Sequence, residues 1–299
     1  MTIPQGERSS FILMTDMMKD YPSQPSELDR LHTMAALRWL ACLHGSCWED
    51  TSSFRDKRLF KHGAYYEITK AGRKPNLKRM EKNWANSVGT IPELERLGGY
   101  LPKRLAASAD AVQHRLYGEA NQAVREQGTR ETSRKKRKME SCFTEPQTVI
   151  TGDFKAENLF FSLPKEGRGT PVCAAVDFQW AGGGSCAIDV VYLLWTSLEE
   201  NLLSKEEGSL LDAYWQGLGS HGVDIKAFTR KDLQRQYELA IVDFARFALA
   251  DGCLIESDVS LMERASTLLA RVDQGGCVGE EEYKAALASH HREFWAEAC

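Results

Sequence analysis

Long apolar runs are missing from this 299-residue sequence, and none approaches the roughly eighteen apolar residues that a membrane-spanning helix needs. The first residues lack a basic segment followed by an apolar stretch, so we predict no secretory signal. Positive charge is not in excess: the net charge of −4 argues against nucleic-acid binding as the main task. The eight cysteines include no C-x2-C pair and no zinc-ligand spacing. These absences predict a cytoplasmic protein with reduced cysteines.

The residues that are present predict a mostly helical α+β fold with a small cluster of short strands. Helical apolar periodicity marks seven segments, which are 26–47, 91–117, 188–203, 208–218, 231–250, 257–272 and 280–298. Short apolar runs predict strands at 10–17, 148–150, 159–161 and 172–178. The glycine triad 182–184 is typical of a flexible loop. The basic run 134–138 lies in the most polar stretch, which favours a solvated loop over a nucleic-acid site.

A polar loop between two of the predicted strands contains the first candidate site residues. Asp153 and Asn158 lie five residues apart in it, so both can face one site from two sides. An aspartate can orient a hydroxyl group and accept its proton. An asparagine carbonyl oxygen can bind Mg²⁺. The same residue types also favour ordinary turns, and that reading stays open for the loop taken alone.

A second candidate, Asp177, ends the apolar run 172–178. An ionised carboxylate buried there would be costly unless a cation or hydrogen-bond donors satisfied it, and a metal ion is the simplest explanation. Aspartate and asparagine oxygens that hold Mg²⁺ against nucleotide phosphates are the recurring arrangement of kinase phosphoryl transfer.

Together, the loop 151–158 and the segment 177–179 resemble the catalytic and metal loops of the aminoglycoside phosphotransferase, choline kinase and ecdysteroid kinase-like group. That group's loop usually reads His-Gly-Asp-x4-Asn, and its metal segment begins with Asp-Phe or Asp-Trp. The Asp-Phe-Gln of residues 177–179 resembles the ecdysteroid kinase-like branch in particular. The resemblance implies a protein-kinase-like fold, represented here mainly by its helical C-terminal lobe.

The resemblance also implies roles for residues. Asp153 would be the catalytic base, and Asn158 and Asp177 would hold Mg²⁺. Lys155 has the spacing of a lysine that steadies the transferred phosphate, with a solvated lysine as the equal alternative. Asp189 matches an aspartate that braces the catalytic loop.

The implied nucleotide contacts lie near the start of the chain. Residues 11–17 resemble the strand and hinge between the two kinase lobes, so Met14, Thr15, Asp16 and Met17 would contact the adenine of ATP. The helix around residues 36–44 resembles the group's Leu-Ala-x-Leu-His helix.

The sequence departs from the group in two respects. Thr151 stands where the group usually has histidine. The glycine-rich loop and strand lysine of a nucleotide-binding lobe would precede residue 11, and ten residues cannot supply them. We therefore expect residues 1–20 to be a remnant of that lobe and residues 21–299 to form the C-terminal lobe. A truncated sequence, an inactive short form and a lobe supplied by another chain would each explain this.

Two functions follow from these patterns. The first is ATP-dependent phosphoryl transfer to a hydroxyl group of a small-molecule alcohol. The alternative is a non-catalytic, kinase-derived lobe that binds a ligand or partner.

Trp180, directly after the metal segment, is the aromatic residue that we expect near a substrate. The tryptophans on helical apolar faces are expected to pack in the core, and they are Trp39, Trp48, Trp195 and Trp215. The pattern indicates neither the substrate nor the oligomeric state.

Overall fold

The computed structural model describes residues 16–50, 59–70, 76–118, 146–163 and 169–273. Seven α-helices lie in these residues, and they are α1 (Arg30–Ser46), α2 (Met80–Thr90), α3 (Leu101–Tyr117), α4 (Ala187–Ser197), α5 (Glu200–Ser220), α6 (Arg230–Asp251) and α7 (Val259–Asp273). The mostly helical α+β prediction agrees with this arrangement. The predicted helix 280–298 and the basic run 134–138 lie outside the described residues. The division at residue 20 stays a prediction.

Local capping sets several helix ends that the periodicity alone misplaced. The first helix begins at Arg30 and not at residue 26, because the Asp29 carboxylate accepts a hydrogen bond from the backbone N–H of His32 at 2.9 Å and so caps the first turn. Helix α6 begins with a capping box between Thr229 and Asp232. The predicted helix 91–117 is interrupted, since a 3₁₀ helix at Pro92–Leu97 ends at Gly98 before α3 begins.

Two small antiparallel ladders hold the loops that surround the candidate site. Strand β1 (Thr148–Ile150) pairs with β4 (Gly182–Gly184), and β2 (Leu159–Phe161) pairs with β3 (Cys173–Ala175). The predicted flexible loop at residues 182–184 was therefore wrong. These glycines are buried strand residues. Glycine is needed at Gly182 because a side chain there would collide with the backbone of Phe60 and Gly63.

The third predicted strand is shorter than the apolar run 172–178 suggested. It ends at Ala175, and Asp177 adopts a left-handed backbone with φ of 60° that cannot continue a ladder. The predicted strand 10–17 falls mostly outside the described residues. Its last two residues, Asp16 and Met17, lie in no strand.

One hydrophobic core runs from Leu28 to Leu269 beneath these ladders. Helix α1 packs on α5, while α3 and α4 pack on α6. A charged pair is buried within this core, where the Arg246 guanidinium donates to the Asp243 carboxylate at 2.8 Å and to the Tyr66 carbonyl at 3.0 Å. Gln113 donates to the other Asp243 oxygen at 2.7 Å, which satisfies the carboxylate. None of the described helices is long and apolar enough to cross a membrane.

Candidate active site

The loop that follows β1 is held by a carboxylate from the first turn of α4. The backbone N–H groups of Thr151 and Gly152 donate to the two oxygens of Asp189 at 2.7 and 2.9 Å. Asp189 is fully buried, and carboxylates that accept backbone N–H groups in such surroundings are strong anchors. The predicted brace between Asp189 and the loop is confirmed by these contacts.

Gly152 lets the loop pass close to the rest of the site. Its φ is 78°, and a side chain there would collide with the backbone of Ala64 and the carbonyl oxygen of Trp180. Only glycine combines this backbone conformation with such a close approach. The backbone of the loop is therefore packed directly against the segments that contain Ala64 and Trp180.

A histidine from α1 completes the brace. His44 is fully buried, with Nε2 at 3.3 Å from the Asp189 carboxylate and Nδ1 at 2.6 Å from the Tyr214 hydroxyl. The Thr148 hydroxyl donates to the His44 carbonyl at 2.7 Å and joins α1 to β1. The Thr151 hydroxyl makes no hydrogen bond with the described residues. The motif helix of α1 was recognised in the sequence, but this role of His44 was not.

The Asp153 residue is nearly buried, with 9% of its surface exposed. The Asn158 side-chain amide donates to the Asp153 backbone carbonyl at 2.8 Å and to carboxylate Oδ2 at 3.3 Å. The Lys155 ammonium lies 3.4 Å from Oδ1, which accepts no hydrogen bond from the described residues. Burial raises the pKa of Asp153, and Lys155, Asn158 and Tyr192 oppose that rise. The structure thus brings three predicted residues together: Asp153, Lys155 and Asn158.

The β2–β3 ladder brings Asp177 beside Asn158. Backbone N–H of Val176 donates to the Asn158 carbonyl at 2.9 Å, so Asp177 is the next residue beyond the contact. Its carboxylate is exposed and accepts a hydrogen bond from the Gln179 amide at 3.3 Å. The prediction that the Asp177 carboxylate is buried was therefore wrong. The distinctive feature at this position is the left-handed backbone, which is uncommon for a residue with a side chain.

The donor set fits Mg²⁺. The Asn158 side-chain N–H₂ group points at Asp153, so the side-chain carbonyl oxygen of Asn158 is left to bind a cation. The exposed carboxylate of Asp177 is the second oxygen ligand. Among the described residues, no group of three His, Cys, Asp or Glu side chains could hold a metal ion. Mg²⁺ at Asn158 and Asp177 would therefore need further oxygens from water or nucleotide phosphates, as is usual for this ion.

The predicted adenine contacts lie at the edge of the described chain. Met14 and Thr15 fall outside it. The Asp16 carboxylate accepts from the Met18 N–H at 3.0 Å, and the Met17 carbonyl accepts from the Tyr21 N–H at 2.8 Å, so these two residues form a turn. The chain then runs beside β2, where the Phe161 N–H donates to the Ser23 carbonyl at 2.7 Å, and Gln24 donates to the Glu157 carbonyl of the preceding loop at 2.8 Å. Ser23 and Gln24 therefore contact the catalytic loop and the strand that follows it, and the adenine contact stays a prediction.

The segment 59–70 contributes to the site, and sequence reasoning missed it. It lies along β4, with the N–H groups of Phe60, Gly63 and Ala64 donating to carbonyls of residues 180–183 at 2.8 to 3.2 Å. The Phe60 ring stacks on Trp180 with centroids 5.7 Å apart, and Tyr65 lies 6.1 Å from the same indole ring. The nearby aromatic residues in this mixed, polar stretch were the only signal in the sequence.

Trp39 and Trp180 pack against different residues around the loop. Trp39 stacks on Phe154 and Phe178 at 5.3 and 6.1 Å, which agrees with the predicted packing role. Trp180 is partly exposed beside the loop, which makes it accessible to a ligand. The substrate contact predicted for Trp180 stays a prediction.

Glu67 secures segment 59–70, and it predicts a measurable acid sensitivity. Burial would raise its pKa, but the nearby His62 ring, 3.7 Å from one carboxylate oxygen, and the hydrogen bonds from the Thr69 N–H and hydroxyl outweigh burial and lower the pKa to about 2. A folded-state pKa below the unfolded one stabilises the fold at neutral pH, and this stability is lost as the pH falls from about 5 to about 2. We expect Glu67→Gln to lower the free energy of unfolding by roughly 3 kcal/mol at pH 7. The deficit should shrink steadily in urea titrations at lower pH.

Glu81→Gln is the matched control for this prediction, because the Glu81 side chain is 68% exposed. It should leave stability nearly unchanged at every pH. A Glu67→Gln deficit that stayed constant from pH 7 to pH 2 would contradict the assignment.

A search of curated proteins and a search of solved structures found no match. The model of the ecdysteroid kinase-like family matches residues 3–226, which include α1, both ladders and the candidate catalytic loop. This match confirms the resemblance that the loop and metal segment indicated. The chain therefore belongs to the ecdysteroid kinase-like family.

Proposed function

We propose that the protein transfers the γ-phosphoryl group of ATP to a hydroxyl group of a small-molecule alcohol. The observation that supports this most directly is the Asp153 carboxylate, which is buried, held by Asn158 and left with one oxygen that accepts no hydrogen bond from the described residues. A carboxylate fixed in this way is suited to receive a hydroxyl proton. Family membership supports a kinase-like small-molecule phosphotransferase.

The chemistry assigns one task to each residue. Asp153 Oδ1 orients the acceptor hydroxyl and takes its proton as the new bond to the γ-phosphorus forms. The bond between that phosphorus and the bridging oxygen breaks, and ADP leaves with the electron pair. Mg²⁺, held by Asn158 and Asp177, would neutralise charge on the nucleotide phosphates. Lys155, whose ammonium lies 3.4 Å from Asp153 Oδ1, would contact the transferred group.

Binding of the two substrates is proposed for the two sides of the loop. The backbone of Met14, Thr15, Asp16 and Met17 would contact the adenine. The acceptor alcohol would approach Trp180, which the Phe60 ring already supports. Choline-like, sugar-like and sterol-like alcohols all suit an exposed aromatic wall, so we propose the class and not one compound.

The direct test of the metal assignment is Mg²⁺-dependent ATP binding by calorimetry. We expect the wild-type chain to bind ATP with Mg²⁺ and Asp177→Asn to weaken that binding by about tenfold or more, since charge is lost at a cation ligand. Asparagine suits this position because it tolerates the left-handed backbone of Asp177.

Asp224→Asn is the control, because it removes one charge from an exposed turn outside the site. Equal binding by Asp177→Asn and wild type would contradict the metal assignment. A wild-type chain that binds no Mg²⁺–ATP would favour the non-catalytic lobe instead.

A further inference from the structure

One tryptophan of helix α1 connects the two parts of the candidate site. The Trp39 ring stacks on Phe154 with centroids 5.3 Å apart and 21° between the ring planes, and on Phe178 at 6.1 Å and 24°. Phe154 directly follows Asp153, and Phe178 directly follows Asp177. The same indole ring therefore contacts the residue after the proposed base and the residue after the proposed metal ligand.

The two phenylalanines differ in how much other structure holds them. Phe154 is 1% exposed and belongs to the hydrophobic core, so its place is fixed by packing. Phe178 is 49% exposed, so packing surrounds only about half of it. Stacking between aromatic rings stabilises a pair beyond the burial of its area. The Trp39 stack thus ties the exposed Phe178 to the buried Phe154.

The backbone of Asp177 needs support from its neighbours. Its φ of 60° is uncommon for a residue with a side chain, and such a conformation persists only where the surrounding structure fixes it. On the preceding side, the Val176 N–H donates to the Asn158 carbonyl at 2.9 Å. On the following side, the Phe178 ring is stacked on Trp39. The stack is therefore a side-chain anchor next to the strained residue.

Helix α1 presents the indole ring from a fixed position. Leu37 and Leu40, on either side of Trp39, are 1% and 0% exposed. The same helix provides His44, whose Nε2 lies 3.3 Å from the Asp189 carboxylate that holds the catalytic loop. A side chain on a buried helix positions its partners more closely than one on a loop does.

We infer that Trp39 is a positioning residue that holds Asp177, the proposed metal ligand, at a fixed place relative to Asp153. The inference rests on the proposed function, because it takes Asp177 to bind Mg²⁺. Without the indole ring, Phe178 loses its aromatic partner, and the backbone at Asp177 relaxes from its left-handed conformation. Mg²⁺ is then held less tightly, while Asp153 keeps its buried surroundings.

The binding test uses substitutions of Trp39 in the full chain. We expect Trp39→Leu to weaken Mg²⁺-dependent ATP binding about three- to tenfold in calorimetry, the factor that corresponds to the loss of one aromatic pair. Trp39→Phe keeps a ring in the stack and should bind within about twofold of the wild type. Adding Phe178→Leu to Trp39→Leu should cause little further loss, because both changes remove the same contact.

Trp48→Leu is the matched control, since it removes an indole ring that lies directly after α1 and packs on Phe228 at 4.8 Å. It should lower stability without changing the affinity for Mg²⁺–ATP. Binding of metal-free ATP, measured with a chelator, should be equal in Trp39→Leu and the wild type. Unchanged Mg²⁺–ATP affinity in Trp39→Leu, or the same loss in Trp48→Leu, would overturn the inference.

Hydrogen exchange provides a readout that needs neither ATP nor activity. The N–H of Val176 and the N–H of Ala181, which donates to the Phe178 carbonyl at 3.0 Å, flank the metal segment. We expect both to exchange about three- to tenfold faster in Trp39→Leu than in Trp48→Leu or the wild type. Equal exchange in all three proteins would overturn the inference. If the wild type binds no Mg²⁺–ATP, the proposed function fails, and the exchange rates alone decide the positioning role.

Discussion

Asp153→Asn is expected to lower kcat by about 10²- to 10⁴-fold, the range for loss of a general base. Asparagine preserves the volume and the contact with the Asn158 amide, but it cannot take a proton from the acceptor hydroxyl. The KM for ATP should change little, because the loss falls on the chemical step. The measurement is ADP release with wild-type protein, Mg²⁺–ATP and a panel of amino, sugar and sterol alcohols, repeated for the variant with any active acceptor.

Asp212→Asn is a suitable control for Asp153→Asn. Its carboxylate is 58% exposed and pairs with Arg230 on the surface, where such pairs contribute little to stability. It should keep full activity. Wild-type turnover in Asp153→Asn would show that another group orients the acceptor.

The second large effect is expected at Asp189. Asp189→Asn replaces one carboxylate oxygen with an N–H₂ group, which leaves at least one N–H of Thr151 or Gly152 without its acceptor in a fully buried place. An unsatisfied buried group of this kind costs about 1–3 kcal/mol, and lost charge adds to it, so we expect a loss of about 3 kcal/mol in the free energy of unfolding. Urea titration with both far-ultraviolet and tryptophan signals measures it.

Asp29→Asn provides the control for the same chemical change at an anchoring aspartate. Asp29 caps α1 with its side chain 63% exposed, and asparagine is an equally good cap. Stability should therefore remain within a few tenths of a kcal/mol of the wild type. An equally small effect at Asp189 would mean that the loop does not depend on this brace.

Several parts of the fold were readable from local sequence. Strands β1 and β2 occur at the residues where short apolar runs predicted them. All three residues of β1 and the two outer residues of β2 are buried, and such runs leave a clear local pattern. The loop between them was also predicted from the sequence, because polar residues and Gly152 separate the two apolar runs and include Asp153 and Asn158. Helix starts were less readable, because one side chain such as Asp29 decides them.

Other features depend on contacts between distant residues. The sequence of the glycines 182–184 shows no strand pattern. They form a strand because they pair with β1 while Phe60 lies so close to Gly182 that a side chain there would collide with it. Asp177 follows an apolar run yet is exposed, because its left-handed backbone turns the chain out of the ladder.

By itself, the sequence determined the mostly helical composition, the two strands around the loop and the residue types of a phosphotransferase site. Only the tertiary structure decided that His44 and Asp189 meet across 145 positions, and that Tyr65 and Tyr192 meet across 127. Side chains so far apart in sequence leave no local periodicity. Their contacts arise when α1, α4 and segment 59–70 pack around one core, since each buried polar group must then find its partner.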